Sequence, residues 1–361
     1  TLDDLQQAVV DRDAAAAEAL GADDAGRTLL RGVAETAAAM DLTDVTFSYV
    51  AENGTVGPDG SWTAAVVVTW RVAGFEEVPA RTEVQFEFAD GGDRVRSIGG
   101  GAAATPVWLS GPTEVRRTDD AVVVVARDAL PAGQVLAQAE QALADAAEVL
   151  GDDAGSGEGA DHLVVEVPAT SAALHAALGL PAGTYDAVAA VTTSADGANV
   201  PGTPAHVFLN PEVFGALGPI GAQVVMSHEA VHALTDAPTS GAEPWLVEGF
   251  ADYVALRDVD LPLSRTAGQV IAQVRADGVP ASLPSPVDLD SQAAHLGAAY
   301  EAAWLACVTL AERGGEAALV RFYDAVLGGA DLEEALMTEI GWTVAGLTRA
   351  WQDDLEALAR D

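Results

Sequence analysis

Apolar positions at the start of the chain recur at helical spacing. Leu2, Leu5, Val9 and, past an alanine stretch, Leu20 form one face of a helix over residues 2–20, and a second helix is predicted over 25–40. The period then drops to two. β-Branched and aromatic residues alternate over 46–50, 61–72, 81–89 and 94–98, and a further strand fits 121–126. Asp59-Gly60 and Asp90-Gly91 are hairpin-type turn signals. Pro131 and Gly133 punctuate the chain, so a first domain over 1–129 and a second over 130–361 are expected. In the second, a helix over 134–150 leads into a flexible loop over 151–159. That loop lacks the Asp-x-Asp-x-Asp-Gly spacing of a calcium site. Strands over 162–167, 185–192 and 205–209 alternate with short helical pieces, and from Pro219 onward the pattern is almost wholly helical. Strands first and helices later in one segment predict an α+β domain. No internal repeat is present.

Composition narrows the choices. Half of the 361 residues are apolar, enough for a sizeable core despite a formal net charge of −38. A surface this acidic repels phosphate backbones and anionic lipid, so nucleic acid is excluded as an expected partner. All 17 basic residues are Arg, a bias that points to a GC-rich genome. The single cysteine, Cys307, lies in an apolar helical pattern and reads as core packing. No apolar run approaches the ~20 residues that span a bilayer. The chain opens on Thr1 rather than methionine, which fits a form whose export signal has been removed. A secreted or cell-surface protein, tethered through a removed N-terminus, is the corresponding expectation.

The chemistry concentrates in one segment, Ser227-His228-Glu229-Ala230-Val231-His232. Residues four apart share a helix face, so His228 and His232 present two imidazoles to one point. Zn2+ accepts imidazole nitrogen at about 2.0–2.1 Å. Glu229 is turned about 100° around the helix, beside the water that such a metal would activate. This is the two-histidine zinc motif of metallopeptidases. Burying two unpaired histidines beside a glutamate on an apolar helix would otherwise be costly. A second apolar helix follows, Pro244-Trp245-Leu246-Val247-Glu248-Gly249-Phe250-Ala251-Asp252-Tyr253. Glu248, with fifteen residues between it and His232, is the natural third ligand. Asp252 lies one turn further on the same face, where it can accept a hydrogen bond from the outer nitrogen of a ligating histidine.

Together these two segments resemble the gluzincin zinc peptidases, which include thermolysin-like enzymes and aminopeptidases with a Trp-Leu-x-Glu-Gly-Phe-Ala stretch. The likeness covers about residues 200–361. The gap to the third ligand is shorter here, which is closer to bacterial peptidase-like domains with compact gaps. The resemblance implies a small sheet followed by a mainly helical C-terminal half. It implies that His206, Val207 and Phe208 form a sheet-edge strand that pairs with extended substrate, although an ordinary sheet strand fits those residues equally well. It implies that a downstream tyrosine donates to the oxyanion: Tyr300 is the first choice and His295 a rival. Tyr253, Trp342 and Trp351 read as packing residues, and His162 and His175 as structural or exposed. The helices and curved antiparallel sheet of residues 1–129 resemble a nuclear transport factor 2-like domain.

The reaction expected from the resemblance is peptide-bond hydrolysis on a peptide or protein substrate, with Glu229 as general base. An alternative from another class is a non-catalytic binding or scaffold protein on the same fold. Its signature would be loss of the acidic residue at 229, and Glu229 is present. An extension of the enzyme reading gives the first 130 residues a regulatory or targeting role, such as a plug over the active site.

Overall fold

The computed structural model describes residues 1–151, 162–197, 200, 202–290 and 292–360. The glycine-rich loop predicted over 151–159 lies outside them from residue 152 onward. The fold class is α+β. The chain divides into two compact units, Thr1–Gln141 with Gly155–Ala222, and Ala142–Ala154 with Gln223–Asp361.

In the first unit, the helix predicted over 2–20 is two helices, α1 (Leu2–Val10) and α2 (Ala14–Ala19). Arg12 adopts a left-handed φ of 58°, and the Asp13 side chain then accepts from the amides of Ala15 and Ala16. Two otherwise unpaired amides are satisfied there, so a new helix starts at that point. Helix α3 (Asp24–Met40) follows and ends on Asp41, also left-handed. Strands β1 (Leu42–Asn53), β2 (Trp62–Val72), β3 (Ala80–Ala89) and β4 (Arg94–Ile98) form an antiparallel sheet in chain order.

Strands β5 (Thr113–Arg117) and β6 (Ala121–Ala126) belong to a second, mixed sheet. After α4 (Ala132–Leu150) come β7 (Leu163–Val167), α5 (Ser171–Leu178), β8 (Ala190–Ser194) and β9 (Ala205–Leu209). The sheet order is β5-β6-β7-β9-β8. The boundary predicted at 129/130 therefore falls inside the first unit. Every residue of β6 is buried, as in a central strand covered on both faces, and β6 pairs in parallel with β7. Val122 and Val124 join one continuous core with Phe47, Trp70 and Trp108 of the preceding segments.

The strand carrying His206, Val207 and Phe208 corrects an expectation. β9 is hydrogen-bonded to β7 on one side and to β8 on the other, so it offers no free edge. The three residues are 0–2 % exposed. The role of substrate-pairing edge strand does not apply to them, because β8 occupies the flank that a substrate would need. His206 instead sits between two buried carboxylates. Its Nδ1 is 2.6 Å from Glu166 Oε1 and its Nε2 is 2.6 Å from Glu76 Oε1. Burial alone would lower the His206 pKa. The hydrogen bonds and charges of Glu166 and Glu76 outweigh it and raise the pKa to about 10. A histidine with a raised folded-state pKa stabilises fully below its unfolded value of ~6.5, and that stabilisation is lost as pH rises through the folded value. Urea unfolding should therefore show the folding free energy falling by on the order of 3 kcal/mol between pH 7 and 10. In a His206→Gln variant the decline should be much shallower, and parallel curves for the two proteins would contradict the assignment.

In the second unit the chain is helical. After α6 (Pro211–Phe214), helix α7 (Pro219–Leu234) crosses from the first unit into the second. It is followed by α8 (Pro244–Leu256), α9 (Leu263–Thr266), α10 (Gly268–Asp277) and α11 (Leu296–Gly314). The last three are α12 (Glu316–Leu327), α13 (Leu332–Glu339) and α14 (Val344–Arg360). Their apolar faces close a core that includes Val231, Trp245, Phe250, Cys307, Tyr323 and Trp351. Trp351 donates its indole N–H to the Ala302 carbonyl. Among the described residues, no helix is long and apolar enough to cross a membrane.

Candidate metal centre

Two consecutive helices supply the site. Pro219 opens α7, where a missing amide costs nothing. Asp236, with a φ of 52°, follows its last turn. A left-handed residue just past a helix redirects the chain, and Pro244 then starts α8. This return brings a side chain of α8 against two side chains of α7.

The result is a small triangle of donor atoms. Nε2 of His228 lies 3.0 Å from Nε2 of His232 and 3.2 Å from Oε2 of Glu248, and His232 Nε2 lies 3.4 Å from the same oxygen. Tetrahedral zinc with ligand bonds of about 2.1 Å sets its ligands about 3.4 Å apart, so the triangle has the dimensions of one face of that tetrahedron. Among the described residues this is the group of histidine, cysteine and acidic side chains that could hold a metal ion.

Hydrogen bonding supports the same reading. Asp252 Oδ1 is 2.8 Å from His228 Nδ1. A carboxylate only accepts, so Nδ1 carries a proton and Nε2 is the ring nitrogen left facing the triangle. His232 Nδ1 is buried and has no hydrogen-bond partner among the described residues. Two imidazole nitrogens and one carboxylate oxygen converge on one point, and a cation that displaced the Nε2 proton of His228 would meet three electron-pair donors there.

The electrostatics are acidic. Burial would lower the His228 pKa, but Asp252 and Glu248 outweigh it and push it well up. Burial would raise the Glu248 pKa, and the neighbouring His232 and His228 instead hold that carboxyl far below its usual range. Each group stabilises the charged form of the other, and the same field favours a divalent cation.

Glu229, one residue past His228 on α7, is 8 % exposed. Tyr300 of α11 reaches the site, with its ring centroid 6.3 Å from that of His228. Burial first, then the charges of Glu248, Glu229 and Asp252, drive its pKa far above the usual phenol value. Tyr300 is therefore a neutral hydrogen-bond donor at any ordinary pH. His295 is exposed at the N-terminal end of α11 and is not part of the cluster. His206, Val207 and Phe208 are likewise not part of it.

The remaining candidates take structural places. The Tyr253 hydroxyl donates to Glu316 Oε2 at 2.7 Å. His175 Nε2 accepts from the Tyr185 amide, and His162 packs edge-on against Phe75. Sequence reasoning missed the groups that brace α7. Ser227 donates to Asp145 Oδ2 at 2.6 Å, and Thr235 shares a 3.0 Å hydrogen bond with Tyr323, whose ring stacks on Phe250. Ser227 is completely buried next to His228, but a lone serine in an apolar helix gives no signal of its partner.

No protein-family model matches this chain, and no curated protein matches it.

Proposed function

We propose that this chain is a zinc-dependent peptidase in which His228, His232 and Glu248 hold the metal and Glu229 is the general base. The observation that carries the reading is the convergence of two imidazole nitrogens and one carboxylate oxygen at 3.0–3.4 Å spacing. Three protein donors leave a fourth position open, which is the pattern of a catalytic rather than a structural zinc site. Zinc held there would polarise a carbonyl and make water acidic near neutral pH.

The protein's own groups do the rest. Glu229 accepts a proton from the attacking water and returns it to the leaving amine, so one carboxylate serves first as base and then as acid. Tyr300 donates a hydrogen bond to the carbonyl oxygen as it gains negative charge. Asp252 fixes the ring of His228 through its Nδ1–H.

The test is cleavage of a mixed peptide library by the full chain, read by mass spectrometry. Cleavage should appear with zinc, vanish with a chelator and return when zinc is restored. A zinc-loaded protein that leaves every peptide intact would defeat the peptidase reading and favour a binding protein.

A further inference from the structure

The residue that follows Glu248 has no reactive group and is poorly suited to its place. Gly249 sits inside α8, where glycine gives up more backbone freedom than any other residue. Its surroundings account for it. A Cβ at this position would lie 2.4 Å from the carbonyl oxygen of Ala303, 2.6 Å from its carbonyl carbon and 3.1 Å from Cys307 Sγ. The first two are backbone atoms of α11, which cannot swing aside. Restoring an ordinary contact of 3.4 Å from the present 2.4 Å would part α8 and α11 by about 1 Å. The facing surface of α11 is small as well, with Ala302, Ala303, Ala306 and Cys307 all buried.

This close approach lies next to Glu248 on one helix and within one turn of Tyr300 on the other. We propose that Gly249 is a positioning residue of the metal centre. By letting α8 lie against the Ala303 backbone, it sets how far Glu248 reaches toward His228 and His232, and how near Tyr300 stands to all three. The inference rests on the zinc reading above and adds the device that holds its geometry. Metal–ligand distances are held to about ±0.2 Å, so a helix shift of about 1 Å is large for Glu248 Oε2. A residue that mattered only to packing would change stability and leave the zinc affinity of the folded protein alone.

The experiment measures zinc affinity of the full chain by competition with a chromophoric chelator, alongside far-UV circular dichroism. Gly249→Ala should keep its helical signal and bind zinc about 10- to 100-fold more weakly, the range seen when a group supporting a metal ligand is lost. Cys307→Val tests the same contact from α11 with a smaller wedge, should Gly249→Ala fail to fold. It should weaken zinc binding to a lesser degree, whereas Cys307→Ala should bind like the wild type. Wild-type zinc affinity in folded Gly249→Ala, or in Cys307→Val, overturns the positioning role while leaving the metal site standing. A wild-type chain that binds no zinc overturns the zinc reading and this inference with it.

Discussion

Glu229→Gln is expected to retain stoichiometric zinc while its peptide turnover falls by about 10²- to 10⁴-fold, the usual contribution of a positioned general base. The substitution keeps the shape of the side chain and removes its ability to take a proton. Glu229 is almost fully buried, so a variant of matching volume is needed to separate chemistry from packing. The donor triangle is formed by other residues, and nothing in it should change. Zinc content by elemental analysis and kcat on a cleaved library peptide, measured on the same sample, check both halves. Unchanged kcat would remove Glu229 from the reaction.

His232→Ala carries the other large effect. Its Nε2 is a corner of the triangle, 3.0 Å from His228 Nε2 and 3.4 Å from Glu248 Oε2. Two donors remain after the change, and a two-donor site holds zinc far less firmly than three. The loss should exceed the roughly 10- to 100-fold that follows removal of a supporting hydrogen bond, so dialysed protein should come out zinc-free. Chelator-sensitive cleavage should disappear with it. Full zinc occupancy in this variant would contradict the ligand set.

The candidate metal site was legible because its information is local. His228 and His232 are one helical turn apart, Glu248 is on the next helix, and Asp252 is one turn beyond. Helical geometry converts such spacings directly into positions in space. What was not legible depends on pairing between distant segments. β9 reads as a strand in the sequence, but its place between β7 and β8 is a long-range fact, and it decides against the substrate-pairing role for His206, Val207 and Phe208. The uniform burial of Val207, Phe208 and Leu209 matches an interior strand, while Thr192 to Ser194 of β8 carry the polar character of an outer one. β5 was missed because Thr-Glu-Val-Arg-Arg is mostly exposed and resembles a loop. The break between α1 and α2 hinged on one left-handed residue, Arg12, which an alanine-rich stretch conceals.

The interlocked strands also bear on how the polypeptide can be divided. A fragment beginning at residue 131 would lack β5 and β6, two of the five strands of the mixed sheet. β7, whose residues are all buried in the intact protein, would become a bare apolar margin with unpaired amides and carbonyls. Such a margin recruits strands from other molecules, so the shortened chain would be prone to self-association whatever the state of its helical part.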